Sequence, residues 1–141
     1  SAKGFDKISL KAQDFMRSEP VIARAAACLA EGGRCLLHTD PNEDYGMSSD
    51  QLAEASARML SQILARQPVG WLGIAGGDTS SRICHRLTFT SIAFQAPLSP
   101  GVGLCCASHP DPGLNGVRLM LKGGQMGERD LFDRFACLSD A

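Results

Sequence analysis

Trp71-Leu-Gly-Ile-Ala-Gly-Gly-Asp-Thr79 is the stretch on which the reading of this chain turns. Trp71 to Ala75 is an apolar run of strand length, it breaks off in Gly76-Gly77-Asp78-Thr79, and residues 79 to 87 read as a short helix. Glycines let backbone amides come close to a ligand because no Cβ intervenes. A helix opening at Asp78 or Thr79 presents unpaired N–H groups and a partial positive charge, which suit a phosphate, and the Thr79, Ser80 and Ser81 hydroxyls add donors. Open α/β sheets hold ligands beyond the carboxyl ends of their strands, where this turn falls. Asp78 stands apart from these donors, because a carboxylate repels phosphate. It suits Mg²⁺, directly or through water, or a sugar hydroxyl. By itself the tetrapeptide also reads as a tight turn with Asp78 as helix cap.

A second turn repeats the design. Val117 to Leu121 reads as a strand and closes on Lys122-Gly123-Gly124-Gln125-Met126-Gly127. This is no P-loop, where the lysine follows the glycines and precedes Ser or Thr, and no Gly-x-Gly-x-x-Gly. Its content is a flexible backbone nest beside one ammonium, a cradle for phosphate, or else a glycine-rich turn with a solvated lysine. Two such turns in one small domain point towards a nucleotide.

Working outward, residues 19 to 31 read as a helix with Pro20 in its first turn and Gly32-Gly33 at its end. Arg34 to His38 is a short strand, and residues 39 to 46 are turn formers. The helix that follows is signalled most strongly: Ser48 caps it, Gln51 completes a capping box, Met47 can staple onto Leu52, and Gln67-Pro68 stops it. Phe89 to Ala107 suggests two strands joined by a turn, His109 to Asn115 a loop, and the segment from about Asp130 a helix with Leu131, Phe132, Phe135 and Leu138 on one side. Helices alternating with strands give an α/β class, expected as a layered mixed β-sheet flanked by helices in a single domain over residues 1–141.

Composition excludes several classes. At 44% hydrophobic and 21% charged, the 141 residues are ordinary for a globular domain. Fourteen basic against fifteen acidic residues leave no basic excess for nucleic acid. No apolar run approaches a membrane span, no signal-peptide pattern opens the chain, and a cytoplasmic location is expected. Cys28, Cys35, Cys84, Cys105, Cys106 and Cys137 form no Cys-x-x-Cys pair and read as buried reduced thiols. His38, His85 and His109 are scattered and read as a strand-end, a helix-face and a loop residue; Asp40, Glu43 and Asp44 read as a solvated acidic turn rather than a cation site.

Three ordered segments, Gly-Ile-Ala-Gly-Gly-Asp-Thr-Ser at 73–80, Ser-Pro-Gly-Val-Gly at 99–103 and Leu-Met-Leu-Lys-Gly-Gly-Gln-Met-Gly at 119–127, resemble the four-carbon acid sugar kinase family, and more narrowly its C-terminal nucleotide-binding domain. The resemblance runs from about Asp6 to Phe135. It implies ATP-dependent phosphorylation of threonate-, erythronate- or 3-oxo-tetronate-type sugar acids on the terminal hydroxyl, with Mg²⁺ bridging phosphates. Mapped residue by residue, it implies ATP contacts at Gly76, Gly77, Asp78, Thr79 and Gly124, flanked by Lys122, Gly123 and Gly127, with Asp78 as a metal-ligand candidate. Relatives usually carry Ser or Ala at the place of Gly123 and Phe at that of Met126. The family's N-terminal sugar-acid domain and the Gly-Ser-Cys-Ser strand that usually opens the C-terminal domain have no counterpart in these residues. The resemblance therefore implies a sub-domain that does not turn over substrate alone, with its catalytic base and sugar-acid contacts elsewhere. Two alternatives stay open at this stage: a non-catalytic nucleotide- or phosphometabolite-binding regulatory module, and a phosphometabolite enzyme of another class such as an isomerase. Oligomeric state is not legible.

Overall fold

The computed structural model describes residues 5–75, 77–99 and 102–122, and the chain divides into two compact units, Ser1–Pro68 and Val69–Ala141. The expected mixed α/β class is the one the chain adopts, with strands and helices in both units.

The first unit contains β1 (Phe5–Leu10), α1 (Ala12–Met16), α2 (Glu19–Ala30), β2 (Arg34–Thr39) and α3 (Ser49–Arg66). β1 and β2 pair in parallel from Phe5 with Arg34 to Leu10 with Thr39. Two strands alone are marginal in water, so the pair needs helices over it. Ile8 and Leu10 from β1 join Val21, Ile22 and Ala25 from α2 and Met59 and Ile63 from α3 in one buried cluster. The capping box forms as the sequence specifies: Gln51 N donates to Ser48 Oγ at 3.2 Å, and Ser48 N to Gln51 Oε1 at 2.9 Å. α2 ends in a left-handed Gly32 at φ 80°, after which Gly33 N donates to Cys28 O at 2.9 Å. A Cβ on Gly33 would stand 2.8 Å from Cys28 Sγ and 2.9 Å from Cys28 O, so the pair of glycines is sterically required.

The acidic turn between β2 and α3 is bound into this unit. Asp40 accepts from Asn42 N at 2.9 Å and from Lys11 Nζ at 3.2 Å, which holds its carboxyl below the usual carboxylate range. Glu43 accepts from Ala12 N at 2.8 Å, and Asp44 from Gly46 N at 2.9 Å. Tyr45 completes the tie: its hydroxyl donates to Leu10 O at 2.6 Å and accepts from Asp40 N at 2.9 Å, while its ring meets Phe15 edge-on. Tyr45→Phe removes one group and strands two backbone partners. A loss of about 2 kcal/mol is expected in urea denaturation followed by circular dichroism. A loss near zero would show that water replaces the hydroxyl.

The second unit contains β3 (Trp71–Ala75), α4 (Gly77–Arg86), β4 (Ser91–Ser99), β5 (Val102–Ser108) and β6 (Arg118–Lys122). Its strands form one mixed sheet in the order β3-β6-β5-β4. β3 and β6 are parallel, whereas β5 is antiparallel to both β6 and β4. The last of the described strands thus lies inside the sheet. Its Leu119 and Met120 are fully buried, one on each face. Leu119 clusters with Cys105, Ala107 and Val117, against which Cys84 of α4 packs; Met120 clusters with Val102, with Trp71, Leu98 and Leu104 around them.

Several expectations are corrected. The helix after β3 opens at Gly77, not at Asp78 or Thr79, and the last described strand runs one residue later than read. Of the five described cysteines, all free thiols, only Cys105 is buried; the other four are half-buried because they sit at the margins of the two cores. The helix expected from Asp130, and Cys137, lie outside the described residues.

Candidate functional site

The carboxyl ends of β3 and β6 decide where the two glycine turns begin. Ala75, the last residue of β3, is the register partner of Lys122, the last residue of β6. Because the strands are parallel and adjacent, both chains leave the sheet at the same edge, about 4.8 Å apart. Lys122 is also the partner of Val102, and Val102 of Ser99. One line, Ala75–Lys122–Val102–Ser99, therefore crosses all four strands. All three segments singled out in the sequence meet that line.

Gly77, Asp78 and Thr79 form the opening of α4, so their backbone N–H groups belong to the set with no intrahelical partner. Ile83 of the helix is buried and Cys84 packs against the cluster of Cys105, Ala107, Val117 and Leu119, and the helix lies on β3 and β6. Its opening end consequently faces the edge where Ala75 and Lys122 pair. Lys122 stands at that edge by its backbone. Gly76, Gly123, Gly124 and Gly127 lie outside the described residues.

The far end of α4 is closed by a feature that sequence reading missed. Thr88 adopts φ 57°, the left-handed region that a β-branched residue rarely enters. Leu87 O, next to it, accepts from the Thr88 hydroxyl at 2.7 Å and from His109 Nε2 at 2.6 Å. His109 Nδ1 in turn accepts from Asp111 N at 2.8 Å. This pattern assigns the Nε2–H tautomer and gives His109 the task of pinning the loop before β6 to the end of α4. His38 is exposed near the end of β2 and His85 is exposed in the last turn of α4.

Four of the described cysteines have thiols held above their ordinary range. Burial pushes the Cys35 thiol up to about 11 and raises those of Cys28, Cys84 and Cys105, so these are protonated at neutral pH and poor nucleophiles or metal ligands. Among the described residues no three His, Cys, Asp or Glu side chains gather closely enough to hold a metal. No helix among them is long and apolar enough to cross a membrane.

The chain is similar to several known proteins. The family described as "nucleotide-binding C-terminal domain" matches residues 6–132. A 3-oxo-isoapionate kinase of Paraburkholderia graminis is 35% identical over 57% of this chain and 16% of its own length. A 3-oxo-tetronate kinase of Pseudomonas savastanoi is 26% identical over 84% of this chain and 29% of its own. The chain thus spans less than a third of the length of either relative. Among solved structures, a domain of unknown function from Bordetella bronchiseptica, crystallised with citrate as a domain-swapped dimer, superposes with a TM-score of 0.74 at 20% identity. That match covers 94% of this chain and 32% of the other.

Proposed function

Since the chain belongs to the family of nucleotide-binding C-terminal domains, we propose that it is the ATP-holding part of a kinase that phosphorylates four-carbon sugar acids of the tetronate type. The observation that carries the reading is the pairing of Ala75 with Lys122, the two residues that immediately precede the glycine segments in sequence. Amides at the opening of α4 and in the turn after β6 would then converge on one polyphosphate, with Lys122 adding positive charge.

The residues present fit the nucleotide. Gly76, Gly77 and Gly124 are residue types that bring no side chain into its path, and the ten-residue α4 would offer its unpaired N–H end. Asp78, with Thr79 beside it, is the carboxylate available for Mg²⁺, whose remaining ligands would be phosphate oxygens and water. Mg²⁺, when bound, would supply charge neutralisation. What this chain's own residues would do is hold the triphosphate through backbone amides and compensate charge as it shifts towards the leaving oxygens. Sugar-acid contacts and the catalytic base belong, in this reading, to the part of a longer protein that the relatives possess beyond these residues.

The test is amide hydrogen exchange with and without Mg-ATP. At a nucleotide concentration about ten times its Kd, exchange in Gly77–Ser80 and in the segment following β6 is expected to slow roughly tenfold. Unchanged exchange in both segments at millimolar Mg-ATP would overturn the proposal.

A further inference from the structure

Phe94 of β4 carries an inference that rests on the nucleotide reading and goes beyond it. The ring is 66% exposed, unusual for a large apolar side chain in the middle of a strand. Its strand position fixes which side of the sheet it occupies. Phe94 pairs with Cys105, and Cys105 belongs to the cluster against which Cys84 of α4 packs. The ring is thus on the α4 side, while α4 itself packs on β3 and β6. It also leans towards the carboxyl edge: a Cβ built on Gly103 would meet Phe94 Cε1 at 3.3 Å and Cδ1 at 3.4 Å. The ring therefore rests on bare backbone, one residue in from the line that joins Val102 to Lys122.

Strand spacings convert this into a position. Gly103 is one strand from β6 and two from β3, so the ring stands about 10 Å across the sheet from the opening of α4. That separation lies within the reach of a nucleoside triphosphate whose phosphates occupy the two glycine turns. A flat aromatic face, exposed and supported from below, is the chemistry that takes a nucleobase by stacking. We infer that Phe94, seated on Gly103, is the platform for the purine of the bound nucleotide, so that base and phosphates are held by different strands of one sheet. Gly103 is then a positioning residue: any side chain there displaces the ring.

The experiment titrates the full chain and its variants with two probes, ATP and inorganic tripolyphosphate. Phe94→Ala is expected to weaken ATP binding roughly five- to fifty-fold, the loss of one base–aromatic stack, and to leave tripolyphosphate binding unchanged. Phe94→Trp keeps ATP affinity, and the introduced indole is quenched by ATP but not by tripolyphosphate. Gly103→Ala weakens ATP selectively, less than Phe94→Ala does. If wild type binds ATP and Phe94→Ala binds it equally well, the platform is refuted while the nucleotide reading stands. An equal loss for both probes also refutes it, since stacking cannot act on a ligand without a base. Wild type binding neither probe would refute the nucleotide reading itself, and the platform with it.

Discussion

Gly77→Asp is expected to lower ATP affinity at least about a hundredfold while leaving the fold intact. Gly77 is the first residue of α4, and a carboxylate at a helix opening is favourable to the helix, so folding is not the casualty. The damage is electrostatic and steric. The new carboxylate stands where the polyphosphate would approach, and a single like-charge pair at 4 Å costs about 4 kcal/mol at the effective dielectric of a protein surface. Discounted by half for solvent, that still removes more than tenfold, and a triphosphate presents several charges. Isothermal titration with ATP, with circular dichroism as the folding control, checks it. Undiminished affinity would mean that the nucleotide does not use this turn. It would favour the alternative of a regulatory module.

Leu119→Ala is expected to be the most destabilising simple truncation in the second unit. Leu119 is fully buried on an internal strand and packs with Cys105, Ala107 and Val117. Removing three carbons there leaves a cavity that strands on both sides cannot close, and buried Leu→Ala changes cost about 3–5 kcal/mol. Against a typical stability of about 5–15 kcal/mol this removes much of the margin. The chain offers a convenient probe, because its single tryptophan, Trp71, belongs to this unit, with the Arg118 guanidinium 5.8 Å from its ring centre. Guanidinium denaturation followed at that tryptophan should show a lower midpoint. A midpoint shift worth less than about 1 kcal/mol would mean that the sheet collapses onto the vacated space.

What could be read from the sequence was what is local. Ser48 and Gln51 announce α3 because a capping box is a contact three residues long, and Gly76-Gly77 announce the break after β3 because a glycine pair acts where it stands. β1 escaped notice for an equally physical reason. Only Ile8 and Leu10 of its six residues enter the core, and Asp6, Lys7 and Ser9 are poor strand formers; Asp6 is kept on the outside by Arg24 at 2.7 Å. Thr88 in a left-handed conformation was equally invisible, since its support comes from His109, far along the chain. For the candidate site, residue types and the break after β3 were legible, and so was a resemblance to a family. The register that sets Ala75 beside Lys122 was not, because pairing between distant strands leaves no periodic mark on either.

The interior place of β6 has a consequence for synthesis. While the ribosome is still making the residues before Arg118, β3 has no neighbour from its own sheet, and the β4–β5 hairpin can form only by itself. The sheet closes when the last described strand slides between them, a late, non-local step of the kind that makes assembly slow. A nascent chain of this protein therefore gains the edge where Ala75 pairs with Lys122 all at once, when Arg118–Lys122 emerge, and a polypeptide stopped before Arg118 would lack that pairing altogether.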